Sequence, residues 1–200
     1  MERFLQPSYY VDLQAENIQA TARALFAPDM TPAEKARTAY HFVRDEMLHS
    51  FDCHAQVVTV RASEVLHHRT GICHAKANLL AALLRIQGIP TGFSFQRITY
   101  AAQDESMGYC THAFNAVYLG GHWVKLDARG NKPGIDAQFS LGDPILAYPP
   151  RPQFEEFLYK GIYSHPQPVT MRKLENSQHP KELYYGFPDE LIELPDIPEV

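Results

Sequence analysis

Residues 70–88 read Thr70-Gly-Ile-Cys-His-Ala-Lys-Ala-Asn-Leu-Leu-Ala-Ala-Leu-Leu-Arg-Ile-Gln-Gly88, and this stretch sets a cysteine at the start of a helix. Ala75, Leu79, Ala82, Leu83 and Ile86 recur at steps of three and four, the spacing of one buried helix face. Gly88 stands where a left-handed residue ends a helix, Ile89 is placed to fold back on Leu83 or Leu84, and Pro90 blocks continuation. Cys73 then falls in the first turn. Free backbone N–H groups and the positive end of the helix dipole there favour thiolate over thiol. The Cys73 backbone N–H could also receive the oxyanion formed when a thiolate attacks a carbonyl. A free cysteine is otherwise most often a small buried hydrophobe.

The second informative stretch runs from Thr111 to Arg129. Two apolar-rich runs, Cys110–Leu119 and His122–Asp127, flank Gly120-Gly121, a two-residue hairpin signal. Leu119 then opposes His122, Tyr118 opposes Trp123, and Phe114 opposes Asp127. Side chains alternate, so His112 shares the face of Phe114, one diagonal step from Asp127 and within bridging reach. Ala113, Val117, Leu119, Val124 and Leu126 fall on the other face as a core surface. Cys73, His112 and Asp127 thereby form a nucleophile, a base and an orienter for thiol acyl transfer.

Outward from these stretches, Asp12–Ala27 reads as a helix capped by Asp12. A second helix begins at the capping box Thr31-Pro32-Ala33-Glu34 and continues through Ala36, Tyr40, Val43 and Met47. Gln56–Val60 reads as a brief extended piece, Ala62–Arg69 as a short helix, Thr91–Tyr100 as a strand and Ala101–Gly108 as a polar loop. Eleven prolines recur from Pro133 to Pro198. Phe154–Lys160 suggests a short helix in this tail, whose aromatic residues, among them Tyr148, Tyr184 and Phe187, argue for packing over the rest.

A chain of 200 residues suffices for one core, burying roughly 70% of its unfolded surface. A net charge of −5 argues against a nucleic-acid or anionic-membrane partner. No run reaches the ~18 apolar residues of a membrane span, and the start lacks a secretory pattern, so the expectation is a cytoplasmic protein. Three cysteines without framework spacing point to reduced thiols. Ten histidines show no chelating spacing: Cys53-His54, His67-His68 and Cys73-His74 are adjacent pairs, so neither metal nor cofactor is expected.

Three segments together resemble the core of the bacterial transglutaminase-like superfamily: Arg69 to Pro90, Thr111-His-Ala-Phe-Asn-Ala-Val117, and Gly121-His-Trp-Val-Lys-Leu-Asp127. The shared pattern is a Gly-x-Cys at a helix start, an Arg-x-x-Gly-Ile-Pro exit, a histidine strand and a Trp-Val-x-x-Asp strand. His74 after the cysteine, and Phe114 where tryptophan is common, depart from it. The resemblance implies an α+β, papain-like fold, with helices packed on an antiparallel sheet and the cysteine at the N-terminus of the central helix. Chain length and the tail's composition set the expectation of a single transglutaminase-like domain over residues 1–200, with a core of about 31–130 and a proline-rich wrap over 131–200 that lies outside the recognised pattern. The resemblance carries Cys73, His112 and Asp127 over as the triad. Gln56 is the nominee for a side-chain oxyanion donor. The implied activity is a cysteine peptidase, amidase or transglutaminase-like acyl transfer on a peptide, protein or small amide. An arylamine-acetyltransferase-like enzyme shares the Cys-His-Asp order, and a non-catalytic binding module could keep the same scaffold.

Overall fold

The computed structural model describes residues 1–101, 104–184 and 186–198. The first half is helical: α1 (Glu16–Leu25), α2 (Pro32–Glu46), α3 (Ala62–His68) and α4 (Cys73–Ile86), with the two-residue strands β1 (Leu48–His49) and β2 (Thr70–Gly71) paired in parallel. The second half is an antiparallel sheet of β3 (Thr91–Ala101), β4 (Asp104–Leu119), β5 (His122–Leu126) and β6 (Phe157–Leu158), in the order β5-β4-β3-β6. The tail adds α5 (Pro168–Asn176). This is a mixed helix and antiparallel-sheet architecture of the α+β class.

Local chemistry accounts for most boundaries. The Thr31 hydroxyl accepts the Glu34 N–H at 3.3 Å, and the Glu34 carboxylate accepts the Thr31 N–H at 2.8 Å, closing the capping box of α2. Ala36, Tyr40, Val43 and Met47 are all fully buried behind it. α4 ends as its sequence dictates. Gly88 takes φ +70°, its N–H reaches Arg85 O at 3.0 Å, and the Ile89 N–H reaches Leu84 O at 3.1 Å.

α4 differs from a one-sided helix, because every residue from His74 to Arg85 is buried. Its leucines and alanines join α1, α2 and α3 on one side and Phe93, Phe95, Ala113 and Val117 of the sheet on the other. A helix enclosed all round has no solvent for its polar side chains, so each must find a partner. The Asn78 Nδ2 donates to Val60 O at 2.8 Å, and Lys76 Nζ donates to Met47 O at 2.5 Å and Arg129 O at 2.7 Å. Arg85 donates to Thr91 O at 2.8 Å, Gln6 O at 2.6 Å and Ser164 O at 2.7 Å. It ties the N-terminus, the helix exit and the tail together.

Four sequence expectations are corrected. The first helix starts at Glu16, not Asp12: the Asp12 carboxylate instead accepts the Ser63 N–H at 3.1 Å and caps α3. Residues 56–60 form no strand, being pinned by side chains such as Thr59, whose hydroxyl donates to Thr70 O at 2.9 Å. Of the expected loop at Ala101–Gly108, residues 102 and 103 lie outside the described residues, and from Asp104 onward the chain belongs to β4. Phe154–Lys160 makes no helix. A 3-10 turn at Pro152–Phe154 leads into β6, which adds to the edge of β3.

The tail covers the second face of the sheet, where Ile162, Ala116 and Phe4 form their own apolar cluster. Gly92 permits this approach. A Cβ there would stand 2.4 Å from Ile162 and 2.8 Å from Tyr163 O. Replacing Arg85 by leucine leaves the Gln6, Thr91 and Ser164 carbonyls short of a donor, and the expected loss is about 2–4 kcal/mol of unfolding free energy in urea titration. A loss below about 1 kcal/mol would show that the guanidinium is dispensable to the fold.

Candidate active site

The β4–β5 turn carries positive φ at both central positions, +59° at Gly120 and +90° at Gly121, as a two-residue turn of this kind requires. Leu119 therefore pairs with His122 and Asn115 with Leu126, the expected register. Asp127 follows the last pair, and its Oδ2 lies 2.8 Å from His112 Nε2, with both side chains buried. The carboxylate also accepts the Ala147 N–H at 2.9 Å and the Arg129 N–H at 3.1 Å. Three donors hold it in place.

With Nε2 committed to Asp127, the other ring nitrogen of His112 is left for Cys73, which lines the same cavity, and the His112 ring and the Ala113 N–H both act on the thiol electrostatically. Cys73 is the first residue of α4, and Ile72 before it supplies no side-chain cap, so the first N–H groups of the helix stay open. Burial pushes the Cys73 thiol up. The His112 charge, its hydrogen bond and the Ala113 N–H outweigh that, and the thiol sits below its ordinary value. Burial pulls His112 down, but Asp127 and Cys73 raise it further, to about 10. The Asp127 carboxyl is raised by burial and lowered more by His112 and the two backbone N–H groups, for a net fall. Both shifts favour a thiolate facing an imidazolium.

The Tyr148 ring stands edge-on to His112, with centroids 5.0 Å apart at 86°. Its carbonyl accepts Gln96 Nε2 at 2.8 Å, while the preceding Ala147 N–H holds Asp127. One dipeptide of the tail thus supports both members of the His–Asp pair. The site opens on a cavity of about 630 Å³ walled by Cys73, His112, His49, Ile98, Tyr148 and Phe187, among others. An adjoining cavity of about 490 Å³ shares Lys132, Gly134, Ile135, Ala147 and Pro149 with it and runs on along Pro144, Ile145 and Pro150.

The structure brings Cys73, His112 and Asp127 together and leaves Gln56 apart. Gln56 is exposed on the 50–60 connection, where its Nε2 donates to His54 O at 2.7 Å and its Oε1 faces His179 Nε2 at 3.2 Å. It lines neither of these cavities. Its nomination rested on position upstream of Cys73, and the side chain is drawn outward by local partners. Ala147, Tyr148 and His49 were not singled out for the site, since their approach to it depends on loop paths that no spacing encodes. Among the described residues no group of three or more acidic, histidine or cysteine side chains could hold a metal.

A cysteine at the N-terminus of a buried helix, facing a histidine and an aspartate on an antiparallel sheet, defines a papain-like, cysteine-based fold. The chain belongs to the transglutaminase-like superfamily, whose family model matches residues 19–128. This is a family of thiol-dependent acyl-transfer and peptidase domains. The fold is also similar to the crystal structure of a candidate cysteine protease from Cytophaga hutchinsonii, at 21% identity and a TM-score of 0.51, covering 63% of this chain and 40% of that one. No match was found among the curated proteins. No helix among the described residues is long and apolar enough to cross a membrane.

Burial raises Cys110 first, and the nearby Cys73 charge raises it further, to about 12. Iodoacetamide at mildly acidic pH is therefore expected to modify Cys73 ahead of Cys110 and Cys53, located by peptide mass mapping. The reactivity profile should begin below the ordinary thiol value and change again as pH rises through about 10, where His112 loses its proton. First modification at Cys110 or Cys53 would contradict the thiolate assignment.

Proposed function

We propose that the chain is a cysteine-nucleophile acyl transferase acting on amide bonds of extended peptide substrates, with water or an amine as acceptor. The observation that carries this is the buried 2.8 Å His112–Asp127 bond, in a cavity shared with Cys73 at an uncapped helix start. The Cys73 thiolate attacks the carbonyl carbon and pushes the π electrons onto oxygen. Collapse of that intermediate expels the amine, which takes the His112 proton, and leaves a thioester. Neutral His112 then removes a proton from the acceptor, which displaces Cys73 and restores the starting pair. Asp127 holds the ring's orientation and tautomer throughout.

The adjoining cavities favour a chain-like substrate over a compact arylamine, since the space runs beyond the cysteine along a proline-lined wall. The far wall belongs to the tail, through Leu183, Tyr184 and Phe187. The Tyr184 ring stacks on Phe51 at 4.5 Å, and the Phe187 N–H donates to Tyr100 Oη at 2.8 Å. The tail follows Asp127 directly, and these contacts support its reading as a wrap that limits substrate size.

Incubation with a peptide library and an excess of primary amines, read by mass spectrometry, separates hydrolysis from aminolysis. Cys73→Ala is expected to abolish both. Asp127→Asn should keep the fold and lower turnover by about 10²–10⁴-fold, because the amide favours the wrong histidine tautomer. Full turnover in Asp127→Asn would remove the triad. Tyr184→Ala with Phe187→Ala should admit bulkier residues, seen as a change in peptide preference with little change in kcat on the smallest substrates. An unaltered preference would detach the tail from specificity.

A further inference from the structure

We propose that His49 is a further catalytic residue, whose Nε2–H joins the Cys73 backbone N–H in holding the oxyanion of the tetrahedral intermediate. The inference rests on Cys73 being the nucleophile. An oxyanion formed at Cys73 needs fixed donors, and one backbone N–H is a partial set.

Most side-chain donors along the cavity are already committed. Both terminal guanidinium nitrogens of Arg129 and the Lys132 ammonium bind Asp52, and Arg151 binds Glu156. The Thr111 hydroxyl donates to Gln167 at 3.1 Å, and His74 Nε2 to Thr111 O at 3.0 Å. His74 Nδ1 then carries no proton, and Arg129 Nε, although unpartnered, is closed off from the cavity. Tyr148 packs edge-on against His112 and is engaged by the Arg129 guanidinium. Tyr184 lies on the outer wall, half exposed.

His49 reaches the cavity beside the helix start. It pairs in β1 with Gly71 of β2, two residues before Cys73, and its side chain is buried in the wall of the same cavity. Its backbone is fixed from both flanks. The Leu48 N–H donates to Arg69 O at 2.9 Å, the Ser50 N–H to Gly71 O at 3.2 Å, and Lys76 holds Met47 O. The Phe51 N–H donates to His49 Nδ1 at 3.4 Å, which leaves the proton on Nε2. Burial first, then the Arg129 and Lys76 charges, keep the ring well below the ordinary histidine range, so it is neutral and able to donate without adding a buried charge.

Two probes separate this role from any effect on the thiolate. Alkylation by iodoacetamide displaces iodide and forms no oxyanion, whereas acetylation by p-nitrophenyl acetate passes through one and releases p-nitrophenolate in a burst. In His49→Phe the burst rate is expected to fall about 100-fold, with Cys73 alkylation and its pH profile within about twofold of the native protein. In His49→Gln, which restores an N–H donor, at least about tenfold of the lost rate should return. An unchanged burst in His49→Phe overturns the assignment. So does an equal fall in both reactions, or a His49→Gln rate no better than that of His49→Phe. A native protein whose Cys73 reacts with neither probe overturns the nucleophile reading itself, and this inference with it.

Discussion

The arrangement depends on one constraint: α4 is enclosed on every side, so its polar side chains have only the protein's own backbone to bond. Lys76, Asn78 and Arg85 meet that demand by donating to carbonyls of segments that pack around the helix. Lys76, one turn below Cys73, binds the carbonyls of Met47 and Arg129, which flank His49 and Asp127 at a distance of two residues each. Burial of the nucleophile's helix and placement of its partners are in this way one event.

The electrostatics follow from that enclosure. A buried carboxylate, imidazole and thiol would each be driven toward neutrality alone, yet together each favours charge on its neighbour, lowering the thiol and the carboxyl and raising the imidazole. The open N–H groups of α4 and the Ala113 N–H add positive character on the thiolate side, and the Ala147 and Arg129 N–H groups do so at Asp127. His49, in the wall of the same cavity, is pressed by burial and the Arg129 and Lys76 charges toward the opposite state, neutral. One low-dielectric pocket sets two histidines to different protonation because only one of them has a carboxylate on its ring.

The tail gives the site its walls. It crosses the second sheet face through the Gly92 gap, adds β6 to the sheet edge, and sends Ala147 and Tyr148 to the His–Asp pair. The family pattern ends at residue 128, so these contacts are particular to the remainder of the chain. The cavity is framed by the common core on one side and by this segment on the other.

The helix bearing Cys73, its Gly88 exit, the α2 capping box and the Gly120-Gly121 register were legible in sequence because each depends on interactions within a few residues or across one hairpin. That register alone predicted the His112–Asp127 pairing, since a two-residue turn leaves no freedom in which side chains share a face. The rest depended on approaches between distant segments. Asp12 looked like the cap of its own helix and serves α3 instead, because a carboxylate bonds whichever free N–H the packing presents. Gln56 lay in an eligible position but turned outward to His54 and His179, while His49 entered the cavity through a two-residue parallel pairing too short to leave a periodic signal. Local hydrogen bonds and periodicity are written in neighbouring residues; which loop closes on a buried polar group is decided only when the whole chain is packed.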